Sequence, residues 1–437
     1  MTVSFYTLGC KLNQAESDGL AAAFAASGFS VVPGGGVLRI INTCTVTGKA
    51  EQKMRRMVRL ERRDENAVVI VTGCAVKARD VRGGVVCLPG KDKPRLAGLP
   101  AWLRSAGVPA DGDSLRSAIL DWFAGLDAAD SIAAAGAINP INPIDPIDPF
   151  VFEQGTAEYA ASPRSRPFLK IQDGCGNACT YCAVTIARGP NVSLDKSVVL
   201  ERLRSLEAAG FGEAVLTGVN ICRYPDLAGL IGYVLDNTEW IRLRLSSLEP
   251  DAVDERLLRA VSDPRVRPHF HLSVQSGSDA VLARMGRHYD AAAVERVCAE
   301  LRAAKDDPFL SCDIITGFPG ETEADFIATY ALCERTVFSW IHAFPFSPRP
   351  GTVAAAMKRQ VPQREAAARA DRLRVLSEAG KAAYEKRWEG RAVEAVVEQY
   401  DRDAETVSLV TENYLKKAVP REQIQGKKPG SPVTISC

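Results

Sequence analysis

The chain reads as an α/β protein of three folding units: an N-terminal βαβ parallel-sheet domain, a partial (β/α)6 barrel and a small C-terminal β-barrel. Three observations predict this. Short apolar runs alternate with helical stretches over residues 1–104, six strand-and-helix repeats follow from Pro167, and short strands with charged turns fill residues 388–437. A length of 437 residues suits two or three domains with ample core.

In the first unit Val3–Thr7, Val37–Ile41 and Ala67–Thr72 are strands and 14–27 and 49–63 are helices, a βαβαβ pattern that predicts a parallel sheet. Residues 105–166 read as a linker or insertion. Within them 111–137 carries Leu115, Ile119, Leu120, Trp122, Phe123 and Leu126, compatible with one docked helix or with an element that orders on binding. Residues 139–149 place a proline at every third position. Lacking amide donors, that tract is expected to be an extended spacer near polyproline II.

Residues 167–387 hold strands at Phe168–Gln172, Glu213–Thr217, Ile241–Ser246, Phe270–Val274, Phe309–Ile315 and Trp340–Phe344, with helices near 196–209, 226–237, 251–262, 290–304 and 322–336. Such repeats curve a parallel sheet into an incomplete barrel whose working residues lie where strands end and loops begin. A long alanine-rich helix at 362–388 leads to strands at Arg391–Gln399, Thr406–Val410, Tyr414–Val419 and Val433–Ser436. Many small barrels bind RNA, and many others only pack.

A net charge of +1 excludes a globally basic nucleic-acid binder and leaves local patches. No apolar stretch approaches the ~20 residues that span a bilayer, and residues 1–6 read as a strand and not as a secretory leader. A cytoplasmic protein without membrane contact is expected. There, 12 cysteines point to metal or redox chemistry before disulfides. Cys87, Cys222, Cys298, Cys312, Cys333 and Cys437 stand singly in apolar or helical contexts and read as packing.

The run Gly174-Cys175-Gly176-Asn177-Ala178-Cys179-Thr180-Tyr181-Cys182 directly follows the first barrel strand. It gathers three thiolates on one loop and supplies no fourth. Soft thiolates suit iron-sulfur clusters, and a 4Fe-4S cluster held by three leaves one iron open. Structural zinc wants four ligands, usually in C-x2-C pairs. A second set, Cys10, Cys44 and Cys74, follows the C-terminal ends of three predicted parallel strands, which line one sheet edge. These thiols can converge there, with Gly9 and Gly73 letting backbone approach a bulky inorganic core. Position alone also allows three buried cysteines at strand ends.

Together these motifs resemble the methylthiotransferase family of the radical SAM superfamily, in which an N-terminal domain with three scattered cysteines (here 1–104) precedes a radical SAM barrel (167–387) and a TRAM domain (388–437). The runs Ala187-Arg188-Gly189, Leu245–Pro250, Pro268–Ser278, Asp313–Thr322 and Phe344–Thr352 also resemble that family. The runs Gly9–Ser17 and Asn42–Thr47 resemble its MtaB branch. Lys11-Leu12 stands where the isopentenyladenosine branch tends to carry Gln-Met and the ribosomal-protein branch Pro-Lys.

The resemblance implies two 4Fe-4S clusters. Cys175, Cys179 and Cys182 would hold the one that chelates S-adenosylmethionine (SAM) and cleaves it reductively to a carbon radical. Cys10, Cys44 and Cys74 would hold an auxiliary cluster carrying the sulfur or methylthio group. It implies methylthiolation of C2 of N6-threonylcarbamoyladenosine at position 37, in the anticodon loop of tRNA, with an external electron donor and a sulfur source that the sequence does not name. Adenine C2 is unactivated, so acid–base catalysis has no handle on it. The competing readings are isopentenyladenosine in tRNA, an aspartate of a ribosomal protein, and a non-catalytic iron-sulfur RNA-binding regulator.

Tyr181, Thr217, Gly218, Glu249, Gln275 and Asp313 are the candidate SAM contacts: Tyr181 from the cysteine loop, Gly218 because glycine permits close approach, the others as polar strand-end groups. His269 and His271 share a face of one strand and read as structural. Gly317–Gly320 lacks the lysine of a P-loop and reads as a tight turn. For RNA, Lys49, Lys53, Arg55, Arg56, Arg59, Arg62 and Arg63 crowd one helix, and Lys416, Lys417, Lys427 and Lys428 lie on the tail. Glu51, Glu61, Asp64 and Glu65 are interleaved with the first group, so a solvated helix face is the alternative.

Overall fold

The computed structural model describes residues 1–44, 48–134, 164–400, 405–424 and 426–437; the proline tract 139–149 and Thr45–Thr47 lie outside them. The chain divides into two compact units, Met1–Ser162 with Val184–Pro190, and Pro163–Ala183 with Asn191–Cys437.

The first unit runs β1 (Thr2–Thr7), α1 (Lys11–Ala26), β2 (Ser30–Val32), β3 (Leu38–Thr43), α2 (Gly48–Glu61), β4 (Val68–Gly73), β5 (Asp80–Arg82), β6 (Val85–Pro89), α3 (Leu99–Ser105) and α4 (Gly112–Ala134), joined from further along the chain by α5 (Val184–Arg188). Its sheet has the order β2-β1-β3-β4-β6-β5, parallel throughout except where β5 runs against β6. The three expected strands are its centre. Strands β2 and β5 have only three residues each, too few to show a period of two, so the sequence pattern missed them along with β6.

One face of this sheet packs Leu20 and Phe24 of α1 against Leu38, Ile40 and Ile70, together with Leu115, Ile119, Trp122, Phe123 and Leu126 of α4. The segment 111–137 therefore supplies a docked helix, with Leu120 left on its outer side. The apolar stripe of α4 covers a sheet face that would otherwise meet water, so α4 packs into this unit's core. On the other face Ile41, Val69 and Val71 meet Met54, Met57 and Val58 of α2.

In the second unit β7 (Phe168–Asp173), β8 (Val192–Ser193), β9 (Glu213–Gly218) and β10 (Arg242–Leu245) form one sheet, and β11 (His269–Gln275), β12 (Phe309–Thr316) and β13 (Trp340–Pro345) another. All six expected strands are present, and β7-β9-β10 and β11-β12-β13 are parallel. Two isolated parallel bridges, Leu243 to Val266 and Leu248 to Leu272, join the halves into an open arc. Cys298, Cys312 and Cys333 are buried in its wall. Helix Gln363–Trp388 leads to an antiparallel sheet of β14 (Ala392–Tyr400), β15 (Thr406–Thr411), β16 (Lys416–Pro420) and β17 (Pro432–Ser436), in the order β16-β15-β14-β17. That arrangement is consistent with the small barrel expected. Among the described residues no helix is long and apolar enough to cross a membrane.

The terminal sheet is fixed to the strands' N-terminal ends by buried charge. Glu213 accepts from Arg244 Nε at 2.6 Å and from Arg267 Nε at 2.9 Å, and Arg267 also reaches Glu394 of β14 at 2.8 Å. The Tyr414 ring stacks on His269 with centroids 4.1 Å apart and lies 5.2 Å from the Arg244 guanidinium. His269 is therefore structural.

Burial alone would push the Glu213 carboxyl up, but the charges of Arg244 and Arg267 outweigh it and hold the group at about 2, against an ordinary 4.5. A depressed folded-state value contributes stability that is complete above 4.5 and is lost as the pH falls from there towards 2. Glu213→Gln should leave two arginines buried beside a neutral partner and cost roughly 3–5 kcal/mol at neutral pH. Thermal melts between pH 7 and pH 3 check this: the variant should start lower and fall less steeply.

Candidate iron-sulfur sites

Strand β7 delivers the chain to the first cysteine loop. At its end the Gln172 amide donates to the Gly174 carbonyl at 2.7 Å and to Asn191 Oδ1 at 2.5 Å, while its oxygen accepts from the Asn220 N–H at 2.8 Å. The far side is tied to the helix Asp279–Met285, because the Thr180 N–H and hydroxyl donate to the carbonyls of Met285 and Arg284, both at 2.9 Å. Cys175 is buried, Cys179 and Cys182 are half-buried, and none of the chain's cysteines is in a disulfide.

Glu249, which directly precedes the turn Pro250–Ala252, is the hub beside this loop. It accepts from Asn177 Nδ2 at 2.8 Å, from Asn220 Nδ2 at 2.8 Å and from Arg287 Nη1 at 2.9 Å. The same Arg287 nitrogen lies 3.2 Å from Cys179 Sγ. Sequence reasoning found Glu249 but missed Asn177, Asn220 and Arg287. Arg287 sits just past a short helix, where no strand end marks it.

Tyr181 packs edge-on against Phe318 with centroids 6.4 Å apart, and burial raises its hydroxyl well above the usual tyrosine range. Gln275 ends β11 with φ +68°, a left-handed conformation that costs a non-glycine residue about 1–3 kcal/mol. Thr217 is buried. The close approach expected at Gly218 is made by the protein itself, since a Cβ there would stand 2.9 Å from both oxygens of Gln172. Asp313 is engaged by His271, Nε2 to Oδ2 at 3.0 Å, and His271 Nδ1 lies 2.9 Å from Ser311 Oγ. The two histidines on one strand thus serve different partners.

In the first unit β1, β3 and β4 lie side by side and Cys10, Cys44 and Cys74 follow their C-terminal ends. Gly9 abuts Cys44, since a Cβ on it would stand 2.8 Å from that residue's Cβ. Gly73 has φ +106°, and a Cβ there would meet the Thr43 carbonyl at 2.3 Å, while the Cys74 N–H donates to that carbonyl at 3.1 Å. Asn13 Nδ2 donates to Asn42 Oδ1 at 3.0 Å and to Thr43 O at 2.8 Å, and Asn42 Nδ2 returns a bond to Asn13 O at 2.8 Å. Behind them Glu16 is buried between Lys93 and Arg188, whose Nη1 donates to it at 2.8 Å. Burial lowers the Lys93 ammonium pKa, and the Cys74 thiol is among the groups acting on it.

Among the described residues no three or more His, Cys, Asp or Glu side chains are arranged to hold a single metal ion. Thiolates around a four-iron core each take a different iron and stand further apart than the ligands of one ion. Three cysteines at the mouth of a strand, two with an N–H donor aimed at the sulfur (Asn177 N–H to Cys175 at 3.4 Å, Arg287 Nη1 to Cys179 at 3.2 Å), fit such a core.

The family model described as Radical SAM superfamily matches residues 169–333, and that described as Uncharacterized protein family UPF0004 matches residues 2–82. A Treponema pallidum protein described as threonylcarbamoyladenosine tRNA methylthiotransferase MtaB is 41% identical, the alignment covering 99% of this chain and 98% of that protein. The chain belongs to the radical SAM tRNA methylthiotransferases, and is of the MtaB type. A Thermotoga maritima protein of the same description is 34% identical over 91% of this chain and 87% of its own. An Erythrobacter litoralis protein described as tRNA-2-methylthio-N(6)-dimethylallyladenosine synthase is 30% identical over 90% of this chain and 85% of its own. The radical SAM methyltransferase TsrM from Kitasatospora setae, solved with cobalamin and a [4Fe-4S] cluster, superposes with a TM-score of 0.53 at 15% identity over 81% of this chain and 77% of that one, a likeness of fold alone. As a member of this family the chain is a tRNA-modifying transferase that uses SAM and a 4Fe-4S cluster.

Replacing Gly73 by alanine should force the Cβ into the Thr43 carbonyl and misplace Cys74. A loss above ~2 kcal/mol, read from denaturant unfolding, is expected, and an unchanged midpoint would contradict the packing described.

Proposed function

We propose that the chain methylthiolates C2 of N6-threonylcarbamoyladenosine at position 37 of tRNA, as a cytoplasmic enzyme fed by an external electron donor. In this reading Cys175, Cys179 and Cys182 hold the SAM-cleaving cluster, and Cys10, Cys44 and Cys74 hold a second one. The observation that carries it is the pair of three-cysteine sets, one on the loop after β7 and one spread over the ends of β1, β3 and β4, in a chain so similar to a threonylcarbamoyladenosine tRNA methylthiotransferase. When bound, the clusters and SAM supply the radical and the sulfur that an unactivated aromatic carbon demands.

The chain's own residues place and shield these groups. Gln172 and Thr180 fix the two sides of the Cys175–Cys182 loop. Tyr181, Thr217, Gly218, Glu249, Gln275 and Asp313 remain the proposed SAM contacts, with Glu249 the best supported because it already gathers the polar groups beside the loop. Asn13 and Asn42 join the start of α1 to the end of β3, beside Cys10 and Cys44.

For tRNA, helix α2 offers the stronger surface. The acidic residues on and just after it are engaged within the protein: Glu51 pairs with Arg55 at 2.6 Å, and Glu61 and Asp64 hold Arg39. Lys53, Arg56, Arg59 and Arg63 are exposed, leaving a positive face for phosphates. Base modification needs the base unstacked, and an anticodon-loop adenosine meets that need.

Expression in a host that makes threonylcarbamoyladenosine but lacks its methylthiotransferase should yield the 2-methylthio derivative, measured by mass spectrometry of tRNA nucleosides. The 2-methylthio derivative of isopentenyladenosine in its place would move the substrate to that of the Erythrobacter relative. In anaerobically reconstituted protein Cys179→Ala should abolish release of 5'-deoxyadenosine, whereas Cys44→Ala should retain it and lose sulfur insertion; equal loss in both would contradict the division between the two sets. Replacing Lys53, Arg56, Arg59 and Arg63 by alanine should weaken tRNA binding and reduce the slope of log affinity against log salt by about 3, at ~0.7–0.9 for each phosphate no longer neutralised.

A further inference from the structure

Strands β11 to β13 turn one face to the helices and one to the inside of the arc, and the two differ in chemistry. On the helix side Leu272, Leu310, Cys312, Ile314 and Ile341 are buried. The alternate positions hold His271 on β11, Ser311 and Asp313 on β12, and His342 on β13. Strand pairing sets His271 beside Ser311 and Asp313 beside His342, and the rings of His271 and His342 stand 5.4 Å apart, edge to face. The side chains of His271 and Asp313 keep 13% and 28% of their surface exposed, and His342 is exposed. A half-open polar wall on the inside of a barrel suits a polar ligand, whereas a packed interior avoids it. The helix that follows β11 holds the cysteine loop through Thr180, so the wall lies on strands that border the candidate cluster site.

His271 is committed within the protein at both ring nitrogens, Nε2 to Asp313 Oδ2 at 3.0 Å and Nδ1 to Ser311 Oγ at 2.9 Å. A carboxylate only accepts, so Nε2 carries a proton and fixes that oxygen of Asp313. The SAM contact proposed for Asp313 then falls to its other oxygen. His342 stands at the exposed end of the group, and an imidazole carries an N–H donor in either protonation state. We propose that this wall receives the N6 substituent of the target adenosine, and that His342 donates to its carboxylate and so selects a threonylcarbamoyl group over an apolar isopentenyl one. His271 is a positioning residue: it turns one Asp313 oxygen towards itself and lessens the repulsion between Asp313 and the substituent's carboxylate. An apolar substituent would take water from Asp313 and His342 without replacing its hydrogen bonds. Sites built to hydrogen-bond a substrate reject the analogue that lacks the group more strongly than apolar pockets reject a polar one. The inference rests on the reading that the substrate is N6-threonylcarbamoyladenosine, and deepens it by naming the residue that chooses it.

The test is the affinity of the anaerobically reconstituted full chain, at one salt concentration, for anticodon stem-loop RNAs that differ only at position 37: adenosine, isopentenyladenosine or threonylcarbamoyladenosine. The unaltered chain should bind the threonylcarbamoyl RNA tightest. His342→Leu should weaken that RNA by about tenfold, the size of one hydrogen bond to a charged group, and leave the other two unchanged. His342→Gln, which keeps a donor, should fall between. His271→Leu should reduce the preference for the threonylcarbamoyl over the isopentenyl RNA in the same direction, whereas a merely structural role would weaken all three RNAs alike. An unchanged preference in His342→Leu would overturn the inference. If that variant does not fold, the preference in His342→Ala decides in the same way. Nucleoside analysis of the products keeps the two failures apart. Methylthiolation of threonylcarbamoyladenosine by a chain that binds all three RNAs alike would sink the inference and leave the substrate reading standing, and methylthiolation of isopentenyladenosine in its place would end both.

Discussion

Parallel strand pairing with level ends is the constraint on which the rest of this structure depends. In the first unit Thr7 pairs with Asn42, and Thr43 with Gly73, so three strands stop within a residue or two of one another. The cysteine after each is brought to one edge although 64 positions separate Cys10 from Cys74. A sheet slipped by one residue would exchange the side chains that each strand presents to its two packed faces. The apolar packing of Ile40 and Ile70 on one face and Ile41 and Val69 on the other holds the register. The reactive edge is thus specified by a core that takes no part in chemistry.

The second recurring device is a buried carboxylate clamped by cations. Glu16 lies between Lys93 and Arg188, Glu213 between Arg244 and Arg267, and Glu249 against Arg287. Buried ion pairs of this kind add little net stability over well-packed apolar side chains, because desolvation offsets the attraction, but breaking one partner is expensive. Their value is geometric: each joins segments remote in sequence at a defined distance. The Glu16 cluster ties α5 to α1 within the first unit. The Glu213 cluster ties the terminal sheet to the barrel strands.

The hydrogen bonds around the Cys175–Cys182 loop show why so short a motif suffices. The loop has three thiols and almost no secondary structure, and its shape comes from outside: Gln172 from the preceding strand, Thr180 bonded to a helix end, Asn177 bonded to Glu249. A loop held at both flanks can present thiolates without reorganising when a cluster binds, which is the support a reactive site needs from its surroundings.

Local chemistry was legible in the sequence. Three cysteines at C-x3-C-x2-C announce a three-thiolate site wherever the chain goes, and the alternation of apolar runs with helical spacing in both units follows from periods intrinsic to strand and helix. Short strands such as Ser30–Val32 were not legible, because three residues have no period. Arg287 was not legible either: its bond to Cys179 spans 108 positions, and nothing local distinguishes it from a surface arginine. Whether α4 docked could not be read from its apolar stripe, since only the sheet face it covers decides that. The sequence by itself determined which elements form and which residue types could carry the chemistry. The tertiary structure alone decided which of them meet, because buried contacts between distant residues depend on register and packing, and neither is encoded in any single stretch of chain.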